Sequence, residues 1–361
     1  MPATGQPRAL RILNGEQRGL GASLLRGVLA AAEPFYATAM AARNRAYDRH
    51  ILAALRLPRP VISVGNITAG GTGKTPVVQW LAHRLHEAGH RPAILMRGYK
   101  RAAGGVSDEE ALLRDALAGQ AVVHAQPDRV AGGRAVLQQH PQTDVFVLDD
   151  GFQHRRLWRD FDLVLIDCTC PFGFGHVHPR GLLREPLAGL ARAHAILLTR
   201  YDQVAATQHG HIEWAIRQHN RHAPLFVCSH AHHALRLPDG SEAPLDALRG
   251  RRFVLFAGVA NPASLQTMAA RLPGTCTAMR WFDDHHDYSD ADLAALRAVV
   301  GTDLLLCTEK DWAKILSLPT TTTGTPIWRL KLEVQFGAGH EQQLLTLLLS
   351  AAGQNPPARA E

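Results

Sequence analysis

An α/β architecture built from two parallel-sheet domains is predicted by three observations. Short β-branched runs, "PVISVGN", "PAILMRG", "AVVHA", "VFVLDD" and "LVLIDC", alternate with segments whose apolar residues recur at helical spacing, which is the pattern of strands joined by crossover helices. The alternation restarts after "AILLTRYD", through "LFVCS", "FVLFAGVA", "TAMRWF" and "LLLCTEKD". Between the first strand run and the first helical run lies the glycine-rich "NITAGGTGKTPVV" at residues 66–78, the strand–loop–helix context of a phosphate-binding P-loop. The expected fold is therefore α/β: a P-loop NTPase-like parallel-sheet domain, a second, smaller Rossmann-like α/β domain, and an N-terminal helix suited to a membrane interface. Residues 1–50 are assigned to the N-terminal amphipathic segment, 51–204 to the P-loop domain, 205–352 to the C-terminal α/β domain and 353–361 to a disordered tail; "TTTTG" at 320–324 reads as a loop.

Composition narrows the class. A chain of 361 residues with 46% hydrophobic content buries two ordinary cores and falls outside the disordered, collagenous and disulfide-scaffold classes. Five cysteines without a cleavable signal pattern favour a reducing cytoplasm. Cys168 and Cys170, followed by His176 and His178, read as a structural thiol pair ahead of half a zinc site, because only two thiols lie close together. A formal charge of +7 implies an anionic partner, whether nucleic acid, membrane face or acidic substrate. Neither an internal repeat nor a nucleic-acid module is visible, and no nucleic-acid partner is expected.

The basic charge is concentrated early: the first sixty residues hold nine arginines against Glu16, Glu33 and Asp48. The stretch "SLLRGVLAAAEPFYATAMAA" carries Arg26, Glu33 and Pro34, a costly set at mid-bilayer, so it does not read as a spanning helix. Leu24, Leu25, Val28, Leu29, Phe35, Tyr36 and Met40 beside arginines suit a basic amphipathic helix lying on anionic headgroups. An ordinary helix packed on the domain with a solvated basic face is the other reading.

In the glycine loop, Gly70, Gly71 and Gly73 allow successive backbone N–H groups to curl around phosphate oxygens, and the following helix N-terminus adds partial positive charge. Thr68, Ala69, Gly70, Gly71, Thr72, Gly73, Lys74 and Thr75 are thus the candidate nucleotide site, with Lys74 bridging the outer phosphates and Thr75 offering its hydroxyl to Mg²⁺. The strict pattern has Gly where this chain has Thr68. Further on, "VFVLDDGFQHRRL" ends an apolar strand in Asp149 and Asp150, placed as acids at the carboxyl rim of a parallel sheet would be to meet the metal of a P-loop site. Gln153 and His154 follow on the turn; solvated acids on a capped turn are the alternative.

In order and spacing, "SVGNITAGGTGKTPVV", "RGYKR", "SDEEALL", "LDDGFQHRRLWRDFDLVLID", "GLLREPLAGLARAHAILLTR", "FAGVANP", "DDHHDYS" and "TEKDWAKI" resemble the tetraacyldisaccharide 4′-kinase family, the lipid A 4′-kinases of Gram-negative bacteria. The resemblance runs from about residue 20 to 350 and includes the atypical Thr68. It implies an enzyme peripherally bound to the cytoplasmic face of the inner membrane, a monomer, that moves the γ-phosphate of ATP, with Mg²⁺, to the 4′-hydroxyl of a tetraacylated glucosamine disaccharide 1-phosphate. By the same resemblance Asp108 is the base and His285 its partner, joined with Lys74 in catalysis; His286 is the alternative to His285. Ser107 and Glu110 stand where the family usually has Gly and Pro. Asp149, Asp150, Gln153, Glu185 and Thr75 are carried over as metal-site residues, and Asn66, Arg97, Arg129 and His154 as substrate-binding ones. A salt bridge to Arg180 or Arg184 is the other reading of Glu185, and a helix cap made by Thr308 with Asp311 is the other reading of Glu309, Lys310 and Asp311, which face the nucleotide in the family. Two competing classes are a P-loop GTPase or metallochaperone regulator, which would carry an N-K-x-D segment that this chain lacks, and a kinase of a soluble metabolite, which would have no use for the first sixty residues.

Overall fold

A computed structural model describes residues 8–98, 107–259, 263–283, 286–299, 301–316, 318–321 and 323–353. The expected tail lies outside these residues apart from Gly353, as does His285.

After the short helix α1 (Arg8–Leu13) comes α2 (Leu20–Asp48), 29 residues long with Pro34 inside it. One side of α2 packs Tyr36 and Ala37 against the core, while Leu20, Leu24, Val28 and Phe35 are exposed. The helix thus packs one side on the core and leaves apolar side chains exposed on another. No helix among the described residues is long and apolar enough to cross a membrane.

The chain divides into two units. The first runs from Ile12 to His230 and resumes at Val334. It contains β1 (Val61–Asn66), α3 (Lys74–Glu87), β2 (Pro92–Met96), α4 (Asp108–Ala116), β3 (Val122–Ala125), α5 (Arg129–Gln139), β4 (Val145–Asp149), β5 (Phe161–Asp167), β6 (Ala195–Thr199), α6 (Ala206–Arg217) and the first half of β7 (Leu225–Arg236). The strands are parallel in the order β3-β2-β4-β1-β5-β6-β7. Every residue of β1, β2, β4, β5 and β6 is buried, as strands covered by helices on both faces must be, which is why they read as continuous apolar runs. β1 lies between β4 and β5 with Val64 opposite Asp149, so the glycine loop leaving β1 starts beside the carboxyl end of β4.

The second unit spans Ala231–Glu333 and takes in the start of the described chain up to Arg11. It holds the rest of β7, β8 (Glu242–Pro244), β9 (Arg252–Gly258), α7 (Ala263–Ala269), β10 (Thr275–Phe282), α8 (Asp290–Arg297), β11 (Leu304–Thr308), α9 (Glu309–Ile315) and most of β12 (Ile327–Phe336). Its parallel order is β10-β9-β11-β12, and β8 runs antiparallel to β7. The chain then ends in α10 (His340–Ala352), back in the first unit.

The expected boundary at 204/205 moves accordingly to within β7, and residues 334–352 leave the C-terminal domain. The reason is burial: Ile212 and Ile216 of α6 share a core with Val164, Ile166 and Leu198, and Leu344 and Leu348 of α10 share one with Val77 and Leu81 of α3. Trp80 Nε1 and Arg84 Nη2 of α3 donate to Glu341 Oε1 at 2.9 and 2.7 Å.

Candidate active site

The phosphate loop is fixed from inside by one amide. Asn66, fully buried at the end of β1, donates from Nδ2 to Thr68 O (2.7 Å) and Thr72 Oγ1 (3.0 Å), and its Oδ1 accepts from Lys74 Nζ (3.3 Å). From one flank Ala69 N donates to Leu182 O at 2.7 Å and Arg184 N to Ile67 O at 2.8 Å; from the other, Arg200 Nη2 donates to Gly71 O at 3.0 Å and Thr199 Oγ1 to Thr72 O at 3.1 Å. Gly73 caps α3 with φ +79°, and a Cβ there would come within 2.4 Å of His230 Cε1, so glycine is required by both backbone and space. Beyond it the first turn of α3 presents Lys74 and Thr75, with the unpaired N–H groups and positive dipole end that suit a phosphate. Thr68, Ala69, Gly70, Gly71 and Thr72 also line a depression of about 150 Å³ with Asp167, Cys170 and Leu182.

The acid pair sits at the rim of β4, as the sequence predicts, but the two carboxyls differ. Asp149 is buried with Oδ1 lacking a partner; burial pushes its carboxyl up to about 7, against the pull of Lys74 and with the push of Asp150. Asp150 adopts φ +52°, an uncommon backbone state for a residue with a side chain. Burial also opposes its ionisation, but Lys74 and Arg184 outweigh this and hold it below the usual carboxylate range. Arg184 Nη1 reaches both its oxygens at 2.7 and 2.9 Å, and Lys74 Nζ lies 3.5 Å from Oδ1.

Two expected roles are redrawn by burial. Glu185 has no exposed surface; Arg192 Nη2 binds both its oxygens at 2.9 Å, Asn44 Nδ2 donates at 2.8 Å and Gln153 Nε2 at 2.9 Å. Its carboxylate is thereby committed, and to Arg192 rather than Arg180 or Arg184: Arg180 donates to Leu13 O. Among the described residues no three His, Cys, Asp or Glu side chains converge as a metal cage. Asn66, carried over as substrate-binding, is spent within the loop. Gln153 Nε2 donates also to Asn66 O at 2.9 Å, leaving its Oε1 buried without a partner.

His154 is half-buried with Nε2 unpartnered, and burial, then Arg129 and Arg159, push its pKa down to about 4. Arg129 is buried, its pKa lowered by burial and the neighbouring Arg97 and raised by Asp150 and Asp149, so its charge acts on the acid pair. Arg97 is exposed. Asp108 opens α4, where Ser107 Oγ accepts from Glu110 N at 3.3 Å; Ser107 and Glu110 thus make an N-cap, with Glu110 paired to Arg114. In the second unit His286 is engaged by Asp292 at 3.4 Å and by the rings of Phe282 and Tyr288. The cap reading holds for α9: Asp311 N donates to Thr308 Oγ1 at 3.3 Å, and Asp311 Oδ1 accepts from Tyr288 OH and Gly258 N. Cys168 belongs to the core of the first unit, where burial pushes its thiol up to about 12, and His176 binds Glu33.

Residues that the sequence reading did not single out are Asn44, Arg192, Arg200 and His230. Arg192 and Arg200 lie in the quoted "GLLREPLAGLARAHAILLTR"; Asn44 and His230 have no local signal, because their contacts come from distant strands and helices.

Residues 25–352 match the family described as Tetraacyldisaccharide-1-P 4′-kinase, LpxK. A tetraacyldisaccharide 4′-kinase of Geobacter sulfurreducens is 39% identical over 324 residues, 84% of this chain and 88% of that protein. One of Anaeromyxobacter sp. (strain K) is 35% identical over 363 residues, 94% of each. The crystal structure of LpxK from Aquifex aeolicus in complex with ATP matches with a TM-score of 0.74 at 30% identity, covering 91% of this chain and 99% of that one. A strand, glycine loop and helix with a lysine held between an amide and an acid pair, in a chain matched over most of its length, make this protein a member of the tetraacyldisaccharide-1-P 4′-kinase family.

Proposed function

We propose that this protein transfers the γ-phosphate of ATP to the 4′-hydroxyl of a tetraacylated glucosamine disaccharide 1-phosphate, as a monomer at the cytoplasmic face of the inner membrane. The observation that carries the reading is Lys74, placed at the start of α3 between Asn66 Oδ1 and Asp150. There its ammonium meets the outer phosphates that the loop N–H groups surround, and it opposes the charge that develops in transfer.

Mg²⁺ fits the acid pair, since Asp149 Oδ1 and Gln153 Oε1 are buried acceptors without partners. Asp149, Asp150 and Thr75 would hold it, and it would neutralise phosphate charge. Asp108 takes the proton of the 4′-hydroxyl and His285 orients or shares that charge, roles that rest on the family resemblance. Arg97 and Arg129 face substrate phosphate. His154, kept neutral at pH 7 by its pKa of about 4, offers a hydrogen bond rather than a charge. The exposed apolar side of α2, with arginines beside it, supports peripheral attachment to an anionic membrane.

The test is acceptor specificity: the protein is given labelled ATP with detergent-dispersed tetraacyl disaccharide 1-phosphate, with a soluble disaccharide, or with no acceptor. Label only on the glycolipid is the expected result. Hydrolysis at full rate without an acceptor would point to a switch NTPase, and transfer to the soluble sugar to a metabolite kinase; either outcome overturns the reading.

A further inference from the structure

The N-terminal helix is wired to the phosphate lysine through four buried or half-buried side chains. Asn44 of α2 donates from Nδ2 to Glu185 Oε2 at 2.8 Å; Glu185 Oε1 accepts from Gln153 Nε2 at 2.9 Å; the same Nε2 donates to Asn66 O at 2.9 Å; and Asn66 Oδ1 accepts from Lys74 Nζ at 3.3 Å. We propose that Asn44 is a positioning residue for phosphate transfer: through Glu185, Gln153 and Asn66 it sets the place of Lys74 and joins the helix that meets the membrane to the group that meets the phosphates. The inference rests on the kinase reading above.

The relay has only one polarity. A carboxylate and a backbone carbonyl accept and never donate, so Gln153 must turn its amino group to Glu185 and Asn66 O. Thr68 O likewise fixes the Asn66 amino group, which leaves Oδ1 for the lysine. No amide in the chain is free to flip. Glu185 and Asn66 are fully buried, so a lost partner cannot be replaced by solvent without rearrangement. Space is also closed: a Cβ on Gly189 would come within 2.4 Å of Glu185 Oε2. Two parallel contacts brace the same elements, Arg43 Nη2 donating to Gln153 O at 3.0 Å and Tyr36 OH to Arg184 O at 2.9 Å. The same helix carries the exposed Leu24, Val28 and Phe35 on another side.

The experiment compares wild type with Asn44→Leu, which keeps the branching at Cγ and removes the donor, Asn44→Gln, which keeps the amide, and Asn44→Asp, which adds a second carboxylate beside Glu185. Each is assayed for transfer to detergent-dispersed glycolipid, for affinity for a non-hydrolysable ATP analogue, for sedimentation with phosphatidylglycerol vesicles and for thermal melting. The expected order of kcat is Asn, then Gln, then Leu, then Asp, with Leu reduced about tenfold or more, and vesicle binding unchanged throughout. Equal kcat for Asn44→Leu and wild type overturns the proposal. So does a parallel loss of kcat, vesicle binding and melting temperature without recovery in Asn44→Gln, since that is the mark of a merely structural contact. Absence of transfer by wild type would reject the kinase reading instead, and the positioning role would then stand or fall on whether Asn44→Leu weakens the nucleotide analogue while Asn44→Gln restores it.

Discussion

Asp149 is expected to make this protein less stable as pH rises, and Asp149→Asn to remove that dependence. The carboxyl is buried, with Oδ1 lacking a partner, and its pKa stands at about 7 in the folded state, against about 3.9 in an unfolded chain. Between those values the folded protein binds the extra proton, so stability falls with rising pH and levels off above the folded pKa. From pH 5 to pH 8 the unfolded carboxyl is ionised throughout while the folded one must lose its proton. At about 1.4 kcal/mol per unit this amounts to about 2.5 kcal/mol over that interval. The asparagine has no such titration, and whatever its buried amide costs is the same at each pH. Melting curves of both proteins in EDTA and without nucleotide, at pH 5 and pH 8, read the difference: the gap in melting temperature should widen in favour of the variant by about 3–5 °C. Phosphate transfer by the variant should be largely lost at either pH, because the same charge is what Mg²⁺ would meet. A gap that changes by less than about 2 °C between the two pH values would refute the reasoning.

Lys74→Ala should lower turnover by about two orders of magnitude or more with little change in melting temperature; near-normal turnover would remove the phosphate-loop assignment. Alanine at Asp108 or at His285 should each lower kcat by roughly 10²–10⁴-fold with little change in ATP affinity, and the double variant should be hardly worse than the poorer single one. Multiplicative losses would show that the two do not act as a unit. Gly73→Ala should abolish binding of an ATP analogue, since its φ of +79° and the His230 ring at 2.4 Å both exclude a methyl group; calorimetry showing wild-type affinity would contradict that geometry. Aspartate at Leu24 and Phe35 together should release the protein from anionic vesicles and leave analogue affinity unchanged, and unchanged sedimentation would place the contact with lipid elsewhere.

Strand positions were legible because a parallel sheet buried on both faces needs apolar runs, and ten of the twelve strands among the described residues follow runs visible in the sequence. β12 is not among them, although Arg329, Lys331 and Glu333 alternate with Leu330, Leu332 and Val334, a period-two signal in its own right. The domain boundary was misplaced because a change of sequence character after "AILLTRYD" is local, whereas the partners of Ile212 and Leu344 are set by packing across long separations. In the site, glycine spacing and the paired acids revealed the phosphate loop and Asp149 with Asp150. The partner of each polar group was not legible: Asn66 and Glu185 read as ligands in one dimension, and only the fold shows that both are buried with hydrogen bonds to Thr72 and to Arg192. The helix that Tyr36, Arg43 and Asn44 share was read as basic and amphipathic, with Tyr36 on its interfacial side; in the fold these three bond to residues more than a hundred positions away.

The return of the chain to its first unit has a consequence for synthesis. Because α10 supplies Leu344 and Leu348 to the core beneath α3 and Glu341 to Trp80 and Arg84, the helix that carries Lys74 lacks part of its packing until α10 has been made. A nascent chain with the whole glycine loop already made is therefore still an incomplete nucleotide site. The packing of α3, and with it the setting of Lys74, therefore depends on residues more than 260 positions further along the chain.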